Sequence, residues 1–455
     1  MARHTGRRVQ GRWGLFAALL AASVLSATLG EAATPAKPRP VLILPYQSTE
    51  TDPWFGEAIA ETLYLAAQGT TALLPIDRSR VAQVASRPAG EGAGDSTPLG
   101  LARTLKAEIV FLGDYQRSAA DGIAITPKLI DVKTGQTQTL DTLRGPSDKL
   151  IETQATLIQS YARALNLGLK PDEMERLVAA AKPTTNLTAL EAYAKGRRSA
   201  LLGTQEGNEG AAELMARAVE VDPTFAVAQY QLGAVHLALG NRWKAAAQFR
   251  AATQVDPNLP EPFKALGDLF LSSPRRLFDQ AIEAYERAIA IRPHYAEAHV
   301  GLGDAMAAKG DNEAAIAHYQ KALALDPLNA RVQFALGKIY YGEKGLYYEA
   351  VTAYKKAIDL DQSFLEARMG LGEIYEEKGL YKDAVAEYKK VIEVDPKHTG
   401  ANYNLAMAYE KLDPKEAIVQ WERYIGIAST VATEKEWVDV ARQHLKKLKD
   451  KYPQQ

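Results

Sequence analysis

From about residue 189 to residue 428, small, apolar and aromatic positions return in step. GDNEAAIAHYQKALALDP, Gly310 to Pro327, and GLYKDAVAEYKKVIEVDP, Gly379 to Pro396, share alanine, tyrosine and a closing Asp-Pro. The closing position recurs at Pro223, Pro257, Pro293, Pro327, Gln362 and Pro396, in steps of 34, 36, 34, 35 and 34. A fixed period of this length predicts a solenoid of helix pairs. Each unit places a small residue early (Gly233, Gly267, Gly303, Gly337, Gly372, Ala406) and an alanine eleven to fourteen residues later (Ala245, Ala281, Ala315, Ala350, Ala384, Ala417). Helices approach closely where such side chains are small. Four residues on, an aromatic (Phe249, Tyr285, Tyr319, Tyr354, Tyr388, Trp421) lies on the same helix face and fills the space between the helices. The proline then ends the second helix, because it disfavours helical geometry in its predecessor.

Before the repeats the periods change. The run Val41 to Tyr46 reads as a buried strand, the segment from Phe55 as an amphipathic helix, and Ala72 to Ile76 as a short strand. A helix and strand follow over Pro98 to Tyr115. An alternating stretch from Gly122 to Leu143 folds about a KTGQ turn as a hairpin, and a helix runs from about Ser147 to Leu167. The pattern predicts a small α/β domain over residues 38–168, a helical linker over 169–188, the repeats over 189–428 and a capping helix over 432–451 with a lysine-rich outer side. Thr188 and Glu191 are spaced as a capping box for the first repeat helix. In that first unit Gly196 and Ala211 lie fifteen apart, which predicts a turn about three residues longer than in the other units. The short linker keeps the two parts near each other and leaves their mutual orientation open.

The small, alanine, aromatic and proline positions resemble the tetratricopeptide repeat, of which we count seven units over 189–428. The resemblance implies an all-α superhelical solenoid, and a partner-binding groove along the first helix of each pair. Carried onto this chain, the groove positions are Tyr230 and Leu237; Lys264, Asp268 and Leu271; Val300 and Asp304; Phe334, Lys338 and Tyr341; Met369, Glu373 and Glu376; and Tyr403, Met407 and Glu410. A groove of this family that grips a terminal carboxylate uses lysine, asparagine and arginine at such sites. Here Asp268, Asp304 and Glu373 stand at the ninth position, so the implied partner is a peptide segment or amphipathic helix carrying Lys or Arg. Read without the resemblance, these carboxylates form a solvated helix face.

The order of VLILPY, LKAEIVFLGDYQ and KLIDVKTGQ resembles the small amino-terminal domain of TolB and related bacterial envelope proteins. That resemblance implies a docking module for a second component. The lipid-bearing cysteine of many envelope relatives is missing here.

Charge and composition narrow the function further. The formal net charge of -1 offers no global field for nucleic acid or anionic lipid, and 47% hydrophobic residues in 455 is ample for packed cores. With no cysteine, disulfides, thiolate metal sites and a cysteine nucleophile are excluded. Arg3, Arg7, Arg8 and Arg12 precede an apolar run from Leu15 to Leu29 and small residues near Ala32, the layout of a cleavable secretory signal over 1–32. The run is shorter than the roughly 20 residues needed to span a bilayer. The expected location is therefore the periplasm or another exported compartment, without a lipid anchor or integral membrane segment in the mature chain. His294 and His299 are five apart, which is not the same-face spacing of a helical metal site. The glycines at 90, 92 and 94 make neither a dinucleotide fingerprint nor a phosphate loop. No cofactor and no catalytic residue is expected. Partners are other proteins, a second copy of the chain among them. The contrasting class is a small-molecule sensor or accessory subunit of an envelope enzyme, with the repeats serving targeting or self-association.

Overall fold

The computed structural model describes residues 38–48, 54–85, 97–118, 122–146, 149–343 and 345–452. The expected signal segment and the glycines at 90, 92 and 94 lie outside them.

Short apolar runs become the strands of one mixed sheet. These are β1 (Arg39–Ile43), β2 (Leu73–Pro75), β3 (Ile109–Ser118), β4 (Gly122–Asp131), β5 (Thr137–Thr139) and β6 (Leu143–Gly145). Their order is β2-β1-β3-β4-β5, and β6 also pairs with β4. β1 is parallel to both β2 and β3, with Val41 opposite Ile109, while β3 and β4 are antiparallel, with Phe111 opposite Leu129. Because side chains alternate across a strand, the sheet has two apolar faces. Val41, Ile43, Ile109 and Phe111 share a core with α1 (Trp54–Gln68). Leu42 and Val110 face the other way, onto α3 (Pro98–Thr104) and Val81 and Val84 of α2 (Arg78–Ala85).

The helix expected from Ser147 to Leu167 is two helices, α4 (Leu150–Ala155) and α5 (Leu157–Ala164). Between them the Thr156 hydroxyl donates to the Thr153 carbonyl at 2.8 Å, the kind of local bond that competes with helix continuation. Tyr161 of α5 stacks on Phe111, with ring centroids 3.9 Å apart, and its hydroxyl meets that of Tyr46 in the core.

Seven helix pairs follow the linker helix α6 (Pro171–Ala180). They are α7 (Leu187–Ala200) with α8 (Gln205–Val221), α9 (Ala226–Ala238) with α10 (Arg242–Val255), and α11 (Pro260–Leu271) with α12 (Phe278–Ile291). Next come α13 (Ala296–Lys309) with α14 (Asn312–Leu325), and α15 (Ala330–Lys338) with α16 (Tyr347–Leu360). The last pairs are α17 (Leu365–Glu377) with α18 (Tyr381–Val394) and α19 (Thr399–Leu412) with α20 (Pro414–Ala428), before the terminal helix α21 (Lys435–Lys451). A five-residue π turn, Ile339–Glu343, extends α15.

Two aromatics of the periodic pattern, Tyr285 and Tyr354, are each seated against glycines of two successive pairs. A Cβ on Gly267 would stand 2.7 Å from the Tyr285 ring, and one on Gly301, in the next pair, would collide with the same ring. Tyr354 is held the same way between Gly337 and Gly370. The second helices end on an extended residue, as at Asp256 (φ -129, ψ 95) and Asp395 (φ -125, ψ 91). Proline is only part of the reason. Asp361 closes α16 with φ -138 although Gln362 follows it, because its carboxylate accepts the Ser363 amide at 2.9 Å.

Two local expectations are corrected. The first repeat helix is capped by Asn186, whose side chain accepts the Ala189 amide, and not by Thr188; Glu191 pairs with Lys195 instead. The extra length of the first unit enters mostly the helix and not the turn, since α8 has 17 residues where α10 and α12 have 14.

The sheet region and the first repeats share one continuous core, which runs from Ile109 and Phe111 through Phe55, Ile59 and Leu63 to Leu190, Tyr193 and Phe225. Their orientation is set by this packing rather than left open by the linker. α1 is consequently buried on nearly all sides. Its polar positions Glu57 and Glu61 face cations: Arg78 reaches Glu57 at 2.5 Å and Glu61 at 3.1 Å, and Arg197 of α7 reaches Glu61 at 3.2 Å. Burial raises the Glu57 carboxyl above its ordinary value, and Arg78 opposes that rise. Further along, His294 meets the Gln68 carbonyl at 3.2 Å and Lys106 donates to the Leu360 carbonyl at 3.2 Å.

Candidate functional site

The first helices of successive pairs adjoin one another, α9 beside α11, α11 beside α13, α15 beside α17 and α17 beside α19. They form one face of the solenoid, on which the implied groove positions fall. The positions differ in what they touch.

At the amino-terminal end the face is partly covered. Tyr230 and Lys264 stand across a recess from Glu61, Tyr64 and Gln68 of α1, and Leu237 packs in the cluster around Phe249. In the middle, the carboxylates are bonded within the repeat. The Tyr285 hydroxyl donates to Asp268 at 2.7 Å, and Lys264 pairs with the other oxygen of Asp268 at 2.7 Å. Tyr319 donates to Asp304 at 2.7 Å, and Arg331 pairs with it at 2.5 Å. Leu271 and the buried Val300 pack into the adjoining cores. In the recess between α11 and α13, about 390 Å³, the charges of Asp268 and Asp304 are therefore already met, while Glu297, which also lines it, has no ion pair among the described residues.

The same bond recurs where the acid lies elsewhere on the helix. Tyr388 donates to Glu376 at 3.1 Å, and the Trp421 indole donates to Glu410 at 2.8 Å, where His444 also reaches it at 2.8 Å. A buried hydroxyl or indole N–H needs an acceptor, and these acids supply one to Tyr285, Tyr319, Tyr388 and Trp421. Sequence reasoning assigned the aromatics to packing and the acids to a partner; the structure makes them partners of each other.

The fifth to seventh pairs are different. Phe334 lies 5.8 Å from the Tyr354 ring and 5.1 Å from Phe364, so much of it is packing surface, and the exposed Lys338 hangs over its ring. Tyr341, on the π turn, donates to Glu377 at 2.9 Å, and Tyr347 donates to the same carboxylate at 2.5 Å. These two hydroxyls hold the Glu377 carboxyl below its ordinary value, and burial, more than the Glu377 bond, pushes the Tyr341 phenol up to about 12. Glu373 and Glu376 shift the other way: burial raises both, and for Glu373 the neighbouring Glu376 adds to the rise. Together with Tyr381, Asn404 and Lys411 they line an open recess of about 540 Å³ with three carboxylates and one lysine. Met369 packs partly against the next core. At the far end Tyr403 is enclosed by Trp421, Tyr424 and Trp437 of α21, and Met407 joins the same cluster, so the terminal helix covers these two positions.

The family model described as TPR repeat matches residues 278–310, 303–343 and 341–379, and that of the tetratricopeptide repeat matches 365–398. Residues 278–398 carry tetratricopeptide repeats. A curated relative, the small glutamine-rich tetratricopeptide repeat-containing protein 2 of Mycosarcoma maydis, is 36% identical over 117 residues, 26% of this chain. The match spans 32% of that protein's length. Among solved structures, MamA is 29% identical with a TM-score of 0.33, covering 38% of this chain and 92% of its own. YrrB, described as a TPR protein with an unusual peptide-binding site, is 23% identical with a TM-score of 0.37, covering 45% of this chain and 100% of its own. Among the described residues, no helix is long and apolar enough to cross a membrane, and no group of three or more His, Asp or Glu could hold a metal ion.

Proposed function

We propose that the protein is an exported, non-catalytic interaction scaffold of a bacterial cell envelope, whose tetratricopeptide groove holds a Lys- or Arg-bearing segment of a partner protein. One observation carries the reading. In the open recess of the fifth to seventh pairs Glu373, Glu376 and Glu377 outnumber Lys411 and stand beside Tyr341 and Tyr381, whereas Asp268 and Asp304 upstream are already paired with Lys264 and Arg331. A cation entering that recess relieves the repulsion between Glu373 and Glu376 and finds aromatic faces at hand. The arginine-flanked apolar run at the amino terminus supports export, and the TolB-like strand order supports a docking role for the α/β region toward a second component.

The test is affinity capture from extracts of the source cells, comparing the wild-type chain with Glu373→Lys and with Tyr341→Ala. Charge reversal at Glu373 touches no hydrogen bond among the described residues, so helicity should hold while a groove partner is lost by both variants. An unchanged set of captured proteins would remove the acidic recess as the binding site. A second reading, ligand sensing, is favoured by the separate cavity beside α1.

A further inference from the structure

Two histidines meet inside the fourth helix pair. His299 of α13 is 4% exposed, and its ring stands 5.5 Å from that of His318 of α14. Their Nδ1 atoms are 3.2 Å apart, and Nε2 of His299 is 3.2 Å from the Pro293 carbonyl. The other pairs show what this position does. Six residues after the closing residue of a repeat, a side-chain N–H donates back to that residue's carbonyl: Gln229 to Pro223 at 3.0 Å, Arg368 to Gln362 at 3.0 Å and Asn402 to Pro396 at 3.3 Å. In the sixth pair the same two positions, 19 residues apart as in the fourth, hold Arg368 and Glu387 in an ion pair at 3.1 Å. The site is a polar tie between the two helices of a pair and the turn before them. Only in the fourth pair are both of its members imidazoles.

This network assigns the protons. A carbonyl only accepts, so neutral His299 carries its hydrogen on Nε2 and offers Nδ1 as an acceptor, and the bond between the rings requires the hydrogen on Nδ1 of His318. Nε2 of His318 is then the one nitrogen without a hydrogen or a ring partner. A first proton goes there and leaves the bond standing. A second has only Nδ1 of His299, where it sets two N–H groups and two positive rings against each other. Lys321 of α14 disfavours charge on both rings, and α11, α12 and α15, the neighbouring helices, bring no charged group to bear on either among the described residues. Burial, the larger cause, holds both rings below the ordinary histidine value, and the Pro293 carbonyl opposes this in part at His299.

We propose that His299 and His318 form a pH-sensitive lock in the middle of the solenoid, closed while the two rings share one hydrogen bond between their Nδ1 atoms and opened when acid charges both. Because the folded rings take up protons less readily than unfolded ones, the lock's contribution is complete above the unfolded histidine value of 6.5 and is lost as the pH falls below it. The equivalent Arg368–Glu387 tie keeps its charges through that range, so the solenoid loosens at one pair and not along its length. The lock does not depend on what the groove holds.

The test is nuclear magnetic resonance of the full chain with isotope-labelled imidazole nitrogens, joined to urea unfolding. At about pH 8 the spectra are expected to show His299 with its hydrogen on Nε2 and His318 with its hydrogen on Nδ1. In His318→Ala, which copies Ala284 and Ala353 at the same position of the third and fifth pairs, His299 is expected to titrate at a higher pH than in wild type, since its Nδ1 no longer lies against a second ring. The double variant His299→Gln with His318→Gln copies Gln229 and Gln248 of the second pair. Between about pH 7.5 and about pH 5 it is expected to lose less stability than wild type, the remaining histidines being common to both. A His318 hydrogen on Nε2, or a His299 titration that does not move in His318→Ala, would overturn the shared bond. An equal acid loss in wild type and double variant would overturn the lock.

Discussion

Glu61→Ala is expected to lower the unfolding free energy by about 3–5 kcal/mol, the usual cost of removing one partner from a buried ion pair. The side chain is 2% exposed and lies between Arg78 and Arg197, which come from the α/β region and from the first repeat helix respectively. Alanine would leave the facing sides of both guanidiniums without their counter-charge. Arg78 keeps Glu57, so it is partly compensated, whereas no other ion pair holds Arg197 among the described residues. The loss should be felt first where α1 meets α7. Urea unfolding followed by circular dichroism, with limited proteolysis of the α/β region, would show an earlier transition and faster cleavage. A midpoint equal to wild type would mean that the shared core alone fixes the two parts, and that the network adds nothing.

Gly301→Ala is expected to destabilise, although alanine is the better helix former. Propensity alone would favour the change by about 1 kcal/mol in a helix interior. Against it, the new methyl would run into the Tyr285 ring, which has little room to retreat: it is fully buried, Gly267 of the preceding pair abuts it as well, and its hydroxyl is tied to Asp268 at 2.7 Å. Overpacking of this kind costs roughly 1–3 kcal/mol, occasionally more, so the clash outweighs the propensity gain. Gly426→Ala in α20 supplies the contrast. Nothing lies within 4 Å of its would-be Cβ, so the propensity term stands alone and stability should rise by up to about 1 kcal/mol. Thermal melts of the two variants should therefore move in opposite directions. A gain for Gly301→Ala would show that the aromatic is not clamped, and with it that the packing role of the small positions is misread.

Much of the solenoid was legible because its signal is repetitive: small, alanine and aromatic positions at fixed offsets place seven helix pairs, and the structure seats Tyr285 and Tyr354 against Gly267 and Gly337 of that pattern, with Gly301 and Gly370 of the next pairs as further contacts that the pattern did not name. The sheet was legible from short apolar runs, with β1, β3 and β4 where alternation put them. The groove was less so. Asp268 and Asp304 look identical in sequence to free acids, and only the fold reveals that Tyr285 and Tyr319 end on them. Tyr403 and Met407 satisfy the groove spacing, yet α21 lies over them, which no spacing within the repeat can express. The Arg78 network and the cavity beside α1 were invisible for another reason. They join elements whose meeting is non-periodic, with Glu61 and Arg197 more than a hundred positions apart, and α2 carries too few apolar residues to announce itself as a helix. A sequence signal did exist for part of it: Glu57 and Glu61, one turn apart inside an otherwise apolar helix, are polar residues in need of buried partners.

The central claim is that the open acidic recess, and no other face of the solenoid, holds the partner. Site-specific photo-crosslinking addresses it most directly, with a benzophenone amino acid placed at Tyr341 in the recess or at Trp243, which is 89% exposed on the second helix of its pair. The account predicts an adduct from position 341, mapping to a partner segment that contains Lys or Arg and fading as salt is raised. An adduct from position 243 with none from 341 would contradict it.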